Sequence, residues 1–254
     1  MNSYELFAEF YDELMSDVDY EALAEKYDSL LPEKRGILLD LACGTGTLSV
    51  LLAQRGWDVI AADSSPEMLA KAKKHDKVSY ICQDMTELDL FGTINAAVCS
   101  MDGLNHLLSE EELAAAIERV ALFMEAGGIF VFDINTIYKH ESVLDSNIFV
   151  KESENLFCVW QNEYVGDGEV DIILDIFVKQ ERPCRAGSAR PKGCLPIAKN
   201  DGNYTRSTIE LTEKAYSLDT IRHICEQSGF EVRSIIEEET NEKAVFVCRR
   251  LNQQ

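Results

Sequence analysis

The chain of 254 residues carries a formal net charge of −21, and 46% of its residues are hydrophobic and 27% charged. This is the composition of an ordinary globular protein, long enough for one large α/β domain with an insertion or for two small domains. No apolar run approaches the roughly 18 residues of a membrane span, so no membrane partner is expected. The acidity argues against nucleic acid, which requires a positive surface, and favours a small-molecule partner.

The N-terminal sequence MNSYELFAEFYDELM is acidic and amphipathic. It has neither the cationic start nor the apolar core of a secretory signal, so a cytoplasmic location is expected. Tyr4, Phe7, Tyr11 and Leu14 fall on one face at helical spacing and predict a helix. Such a face most often packs on a protein core.

The eight cysteines and four histidines form no metal-binding pattern. No CxxC occurs and the histidines lack ligand spacing, so no metal site is predicted. Six cysteines stand singly within apolar runs, which is typical of free, buried thiols. These six are Cys43, Cys82, Cys99, Cys158, Cys225 and Cys248.

From residue 36 onward, apolar runs alternate with amphipathic segments, which predicts a mostly parallel sheet covered by helices on both faces. A hydroxyl N-cap predicts a helix that begins at Pro66, and a capping box predicts another that begins after Ser109. Gly127-Gly128 is expected to end the second of these helices. Strands are predicted at 37–41, 57–63, 78–84, 94–100 and 129–135, with helices at 48–55, from 66, and from 109 to about 125.

The last part of the chain predicts a helix at about 218–228, stopped by Gly229, and then two strands at 230–236 and 244–249. The acidic turn at 237–242 indicates that these two strands form an antiparallel hairpin.

Between about 141 and 215 the pattern changes to alternating segments at 157–165, 169–178 and 203–216, separated by the turn sequences GDG and DGN. They predict an inserted antiparallel sheet. Inside it, RPCRAGSARPKGCLPIAKN predicts an irregular basic loop, either solvated or attracting an anionic substrate; the solvated loop is favoured. The expected division is therefore an N-terminal helical cover (1–35), a core (36–140 and 216–254) and an inserted β lid (141–215).

Gly44 and Gly46 follow the first buried strand and allow a tight turn, where a ligand can approach the backbone and the N-terminus of the next helix. Ser49 stands where a dinucleotide fingerprint has its third glycine, so the loop alone is weak evidence. Asp63, about 20 residues after the loop, is placed to accept both hydroxyls of a ribose; helix capping is the alternative. Asp84 ends the next strand beside the same crevice.

Four segments in order, DLACGTGTLS, VIAADSSPEML, ICQDMTEL and CSMDGLNHL, resemble successive motifs of the class I S-adenosylmethionine-dependent methyltransferases. The resemblance is close over about 36–135 and looser in the C-terminal hairpin. It implies a doubly wound, Rossmann-like, seven-stranded and mostly parallel sheet with an antiparallel C-terminal hairpin. It also implies that a methyl group passes from S-adenosylmethionine to a small molecule, leaving S-adenosyl-L-homocysteine.

The same resemblance implies a role for each residue at the cofactor. Gly44 and Gly46 would pass under the methionine part, Asp63 would hold the ribose, and Asp84 would take the exocyclic amine of the adenine. The implied cofactor-binding residues are Tyr11, Ala42, Gly44, Thr45, Gly46, Asp63, Ser64, Met68, Gln83, Asp84, Met85, Cys99 and Ser100.

Methyl transfer from a sulfonium is a direct displacement, so the protein has to align the nucleophile, exclude water and, where needed, remove a proton. Asp102, Asn105 and His106 follow the fourth strand and are expected to face the methyl group as catalytic candidates. His106 has the intrinsic pKa of a base near neutrality, although packing or capping is the commoner role of such a histidine. His140 and Tyr164 are weaker candidates, and Tyr164 is expected to form an aromatic pocket with Trp160.

Three other functions compete with a small-molecule methyltransferase. The missing third glycine and the Asp84-Met85 pair count against an NAD-dependent oxidoreductase. Asn105 and His106 count against a catalytically silent cofactor-binding module, and the net charge counts against an RNA methyltransferase. The acceptor is left open, as is the choice between a monomer and a homodimer.

Overall fold

The computed structural model describes residues 3–179 and 204–252, with side chains from residue 7 onward. The predicted irregular basic loop and the DGN turn lie outside these residues. None of the described helices is long and apolar enough to cross a membrane. Within the same residues, no three His, Cys, Asp or Glu side chains are grouped so that they could hold a metal ion.

Sequence signals at the helix ends explain where the helices begin. The Ser65 side chain accepts a hydrogen bond from the backbone of Met68, with Pro66 in the first turn, and Ser109 forms the predicted capping box with Glu112. Both helix starts are therefore confirmed. The α-helices are α1 (Ser3–Leu14), α2 (Tyr20–Leu30), α3 (Thr47–Gln54), α4 (Pro66–Lys71), α5 (Glu110–Phe123) and α6 (Leu218–Gln227).

The strands of the described residues form two separate sheets. The first sheet has seven strands in the order β10-β11-β5-β4-β1-β2-β3, and the second has four in the order β6-β7-β8-β9. Their bounds are β1 (Ile37–Leu41), β2 (Asp58–Asp63), β3 (Val78–Cys82), β4 (Ile94–Cys99), β5 (Met124–Asn135), β6 (Ile148–Glu152), β7 (Leu156–Gly166), β8 (Glu169–Lys179), β9 (Tyr204–Lys214), β10 (Phe230–Glu237) and β11 (Lys243–Arg250).

In the seven-stranded sheet, β1 to β5 pair in parallel and β11 pairs antiparallel with both β5 and β10. This confirms the predicted doubly wound sheet with its C-terminal antiparallel hairpin. The strand order reverses between β1 and β4, and the crevice outside the carboxyl ends of strands at such a point is where open α/β sheets bind ligands.

The core lies on both faces of this sheet because successive strand residues point to opposite sides. On one face Leu39 and Phe130 pack with Ile117 of α5, and on the other Leu38 packs with Tyr27 of α2 and the α3 residues. Each of these side chains is fully buried. The edge at which β1 to β4 end is thus fixed by packing on two sides.

The second sheet, β6 to β9, covers that edge and packs on α1, and we call this sheet the lid. Leu14 is buried with Leu156 and Ile172 of the lid, and Phe7 and Phe10 pack against the same cluster. The predicted GDG turn joins β7 to β8 at Gly166–Gly168, which is confirmed. Strand β6 was not predicted, because its sequence IFVKE is a short edge strand with most of its residues exposed and so lacks a clear alternating pattern.

Two expectations were wrong. Helix α5 ends at Phe123, and Gly127-Gly128 lie within β5 rather than ending the helix. Met124 is already extended and pairs with Ile94, and a Cβ on Gly128 would lie 2.9 Å from the carbonyl oxygen of Asn95. The glycine therefore allows two parallel strands to approach closely.

The second error concerns the thiols. All six predicted cysteines are free and four of them are buried, but Cys43 is half-buried and Cys82 is exposed. Both exposures follow from position, since Cys43 lies in the loop after β1 and lines a cavity there, and Cys82 ends β3 at the edge of the sheet.

Candidate functional site

The loop after β1 is held open by residues in the left-handed backbone region. Ala42 has φ 57°, Gly44 φ 55° and Gly46 φ 70°. Gly44 faces the ring of Tyr11, whose Cε1 would lie 3.7 Å from an added Cβ, while a Cβ on Gly46 would overlap Tyr80. At these two glycines the loop thus passes close to α1 and to β3.

Asp63, at the end of β2, ties this loop to the start of α4. Its Oδ2 accepts a hydrogen bond from the backbone N–H of Gly44 at 2.8 Å, and its Oδ1 accepts one from Ser65 at 2.9 Å. A carboxylate oxygen has room for a second donor, so Asp63 can fix the loop and still accept hydroxyl groups from a ligand.

A cavity of about 460 Å³ opens at these strand ends, and we call it the crevice. The core contributes Gly44, Asp63 and Met85 to its walls, α1 contributes Tyr11, and the lid contributes Thr212. Two smaller cavities adjoin it because they share wall residues with it. One, of about 140 Å³, is lined by Gln83, Asp84 and His106; the other, of about 20 Å³, is lined by Tyr20, Asp40 and Thr45.

All the predicted cofactor residues line the crevice or its two extensions, except Gly46 and Cys99. Gly46 caps α3 and shapes the loop. Cys99 is fully buried, with its sulfur against Gly103. It therefore lies beneath the site rather than at its surface.

Met101 and Asp102, which follow β4, both adopt left-handed backbone conformations, with φ 59° and 65°. Such residues cost about 1–3 kcal/mol each and persist only where the surrounding structure enforces them. The turn directs the two side chains differently. Met101 lines the crevice, whereas Asp102 lines a separate cavity of about 380 Å³ between core and lid. We call this cavity the charged chamber and define it by Asp17, Asp102, Asn135, Lys139, Lys151 and Glu213.

Asp102 is held by an ion pair with Lys243, which also contacts Asp133 at 3.1 Å. Burial would raise the pKa of Asp102, but the charges of Lys243 and Lys139 and the hydrogen bonds to the carboxylate together outweigh it and lower that pKa to about 2. The same arrangement raises the pKa of Asp133, since burial and the Asp102 charge together exceed the effect of Lys243. Asp102 is therefore a weak base at neutral pH.

Asn105 is buried, and its amide is occupied by the backbone. Its Oδ1 accepts a hydrogen bond from Asn135 N at 2.9 Å, and its Nδ2 donates to the carbonyl oxygens of Asn135 and Lys214. Asn105 thus links the end of β5 in the core to the end of β9 in the second sheet, and it does not face the crevice.

His106 is exposed and lines both the crevice and the extension that contains Asp84. The three predicted catalytic residues therefore diverge, and of the three only His106 faces the crevice. Its role in proton transfer stays a prediction.

The weaker candidates are also separated from the crevice. His140 is buried, with Nδ1 bonded to the carbonyl of Gly168 at 2.7 Å, and Tyr164 donates to Glu141 at 2.8 Å. Trp160 lines the charged chamber, whereas Tyr164 lines a surface cavity near Gly168, so the expected aromatic pocket of these two residues is wrong.

Sequence reasoning missed Asp40, which lies within β1 and lines the smaller of the two extensions of the crevice. Ser49 donates to its carboxylate at 2.5 Å, and burial raises its pKa to about 7. An acid inside the apolar run ILLDL was the available signal. The charged chamber gave no comparable signal, because Glu213 and Lys139 are surrounded by ordinary polar sequence.

Comparisons with known proteins agree on one family. A family model described as a methyltransferase domain matches residues 38–128. The putative methyltransferase YqeM of Bacillus subtilis is 34% identical over 178 residues, which cover 68% of this chain and 71% of that protein. The chain belongs to the class I S-adenosylmethionine-dependent methyltransferases.

The likeness extends over the whole chain. The putative methyltransferase GWCH70_2453 of Geobacillus is 27% identical over 98% of this chain and 100% of that protein. The crystal structure of an S-adenosylmethionine-dependent methyltransferase from Clostridium acetobutylicum has the same fold, with a TM-score of 0.76 at 24% identity over 99% of this chain and 100% of that one.

The residues of the crevice fit the cofactor of this family, S-adenosylmethionine. Gly44 leaves the space beside Tyr11 that a side chain would fill, and Asp63 presents a carboxylate to hydroxyl groups. Met68 and Met85 provide polarisable apolar walls suited to an aromatic ring.

Proposed function

We propose that this methyltransferase transfers a methyl group to a small-molecule acceptor by direct displacement, with its cofactor in the crevice. The observation that carries the proposal is the closure of the crevice by Phe7 and Tyr11 of α1 and by Leu211 and Thr212 of β9. Walls contributed by three parts of the chain enclose a bounded space, which suits a small molecule better than a polymer.

Within the crevice, each group has a chemical task. Asp63 would accept hydrogen bonds from the ribose hydroxyls, and Asp84 would accept one from the adenine amine. Asp84 already caps the short helix Met85–Glu87 through Thr86 at 2.8 Å, so its position is fixed before a ligand binds. Fixed acceptors lose little freedom on binding.

Bound in this way, S-adenosylmethionine supplies an electrophilic methyl group on a sulfonium sulfur. A lone pair on the acceptor would form the new bond to that methyl carbon, while the carbon–sulfur bond would break and leave its electrons on sulfur. The protein excludes water from this step through Phe7, Met101 and Leu211, and it holds the acceptor in line. The acceptor's proton passes to a wall residue or to water, and His106 is the base we propose for the crevice.

Relatives with known acceptors support a small molecule. A glycine/sarcosine N-methyltransferase of Parasynechococcus marenigrum is 29% identical over 53% of this chain, and a dTDP-amino-sugar N,N-dimethyltransferase of Streptomyces venezuelae is 32% identical over 45% of it. The net charge of −21 also opposes RNA as the acceptor.

The test is calorimetric titration of the protein with S-adenosylmethionine, S-adenosylhomocysteine and NADH. We expect the first two to bind and NADH not to bind. Asp63→Asn should weaken that binding by about a hundredfold, since it removes a charge-assisted hydrogen-bond acceptor. Asp58→Asn is the matched control, because Asp58 begins the same strand and lies exposed at its opposite end.

The acceptor is tested with methyl-labelled S-adenosylmethionine and two pools, a small-metabolite extract and total RNA. Label in the metabolite pool that requires Asp63 supports the proposal. Label in RNA alone would contradict the small-molecule acceptor, and tight NADH binding without S-adenosylhomocysteine binding would contradict the cofactor assignment.

A further inference from the structure

The charged chamber lies directly behind the crevice. Asp102 lines the chamber, whereas its neighbours Met101 and Gly103 line the crevice. In β9, Thr212 lines the crevice and Glu213 the chamber. The wall between the two cavities is therefore a single layer of chain at two places, and none of the described residues lines both cavities.

Two of the chamber's charges are already neutralised by ion pairs. Asp102 is paired with Lys243, and Lys151 is paired with Asp17 at 2.8 Å. Lys151 also donates to the carbonyl oxygen of Leu14. These groups offer little net charge to a ligand.

Lys139 and Glu213 are different. The Lys139 ammonium donates to Asn135 Oδ1 at 2.7 Å, and its charge helps to lower the pKa of Asp102, but among the described residues no carboxylate lies within ion-pair distance of it. Asn135 Nδ2 in turn donates to Glu213 Oε2 at 3.0 Å. The neutral amide keeps the two opposite charges apart, so neither satisfies the other by direct contact.

Glu213 is held in a confined position. Its side chain is 11% exposed, and its second neighbour is the fully buried His140, whose Nε2 lies 3.7 Å away. That nitrogen has no hydrogen-bond partner among the described residues. A buried carboxylate with so few partners is costly and gains strongly from a cation.

The remaining walls are apolar and include Leu144, Trp160 and Ile172. Apolar walls lower the local dielectric constant and strengthen charge pairing inside the chamber. A single ammonium at Lys139 matches a singly charged carboxylate, whereas a phosphate dianion would require a second unpaired cation, and Lys151 is already paired.

We propose that the charged chamber binds a small zwitterion, with the ammonium group of the ligand at Glu213 and its carboxylate at Lys139. This inference goes beyond the proposed function, since it assigns a ligand of stated chemistry to a second cavity.

The experiment is calorimetric titration of the protein saturated with S-adenosylhomocysteine. The probes are glycine, β-alanine and 4-aminobutyrate, each compared with the amine and the acid of matching chain length. At least one amino acid should bind about tenfold or more tightly than both of its analogues, because each analogue leaves one charge unpaired. If every amino acid binds no more tightly than its analogues, the proposal is overturned.

Variants then separate the two charges. Lys139→Met should reduce the affinity for the preferred amino acid to that of its amine analogue, and Glu213→Gln should reduce it to that of the acid. Lys151→Met is the matched control, since Lys151 is a chamber lysine that is already paired, and it should change the affinity by less than about twofold. Equal effects of Lys139→Met and Lys151→Met would overturn the specific role of Lys139.

Both chamber variants should bind S-adenosylhomocysteine with wild-type affinity and melt near the wild-type temperature. If the wild-type protein binds S-adenosylhomocysteine but none of the amino acids, this inference alone fails. Failure of the wild-type protein to bind S-adenosylhomocysteine is a failure of the proposed function.

Discussion

The crevice and the charged chamber lie back to back, yet the sequence encodes them in different ways. The crevice is built from short segments that each follow a strand, such as Gly44 after β1 and Asp63 at the end of β2, and these two are 19 residues apart. The chamber and its supports are joined by contacts over long separations, 141 residues for Lys243 and Asp102 and 78 for Asn135 and Glu213. Local turn geometry decides the first region, and tertiary packing decides the second.

The largest effect is expected from breaking the crevice loop. Gly46→Val forces a left-handed residue to carry a branched side chain and displaces Tyr80, which donates to Lys73 O at 2.6 Å. Strain, overpacking and the lost hydrogen bond together should lower the free energy of unfolding by about 5 kcal/mol, measured by urea denaturation.

The same variant should lose most of its S-adenosylhomocysteine binding. Gly127→Val is the control, because Gly127 also has positive φ but faces open space, and it should cost only about 2 kcal/mol. Equal costs at the two glycines would show that backbone strain alone, rather than the tight loop, explains the result.

The buried carboxyl group of Asp40, beside the crevice, should make the free energy of unfolding depend on pH. Burial raises its folded-state pKa from 3.8 to about 7, so its contribution to stability is complete below pH 3.8 and is lost as the pH rises through about 7. Between those limits the wild-type protein should lose up to about 4 kcal/mol from this group. Asp40→Asn, measured by urea denaturation from pH 4 to pH 8, should remove that loss; an unchanged slope would contradict it.

For the chamber side, Lys243→Met leaves Asp102 and Asp133 buried beside each other without the lysine that pairs with both. The free energy of unfolding at pH 7 should fall by about 3 kcal/mol. Adding Asp102→Asn removes one of the two carboxylates and should recover part of the loss. A double variant no more stable than Lys243→Met would contradict the assigned charge pairing.

The smallest effect lies outside both regions. Ser109→Ala removes the capping box of α5 and should lower the free energy of unfolding by about 1 kcal/mol, without altering the affinity for S-adenosylhomocysteine. A change in that affinity would mean that the stability of α5 and the crevice are coupled.

These differences explain what the sequence could predict. The mostly parallel sheet with its C-terminal hairpin, the capped helix starts and most of the cofactor residues follow from periodicity, N-cap chemistry and motif order, all of which are local. The end of α5 was predicted at the wrong residue because Gly128 does not end the helix. It allows β5 to approach Asn95, which is close to it in the sheet and distant in the sequence. Asp102 was identified as a polar group near the methyl, but its ion pair with Lys243 and its direction into the chamber depend on the closed fold.

Most of the chamber could not be predicted for the same reason. Asn135 and Lys139 are near neighbours in the sequence, but Glu213 joins them only when the lid folds back onto β5, and no spacing in the sequence links it to them. Asn105 shows the reverse case, because a residue type suited to catalysis is used to fasten the lid to the core.

The most direct test of the central claim is a crystal structure of the protein with S-adenosylhomocysteine. The account predicts electron density in the crevice, with the ribose hydroxyls on Asp63 and the adenine between Met68 and Met85, beside Asp84. Density for the ligand in the charged chamber, or a ribose away from Asp63, would contradict it.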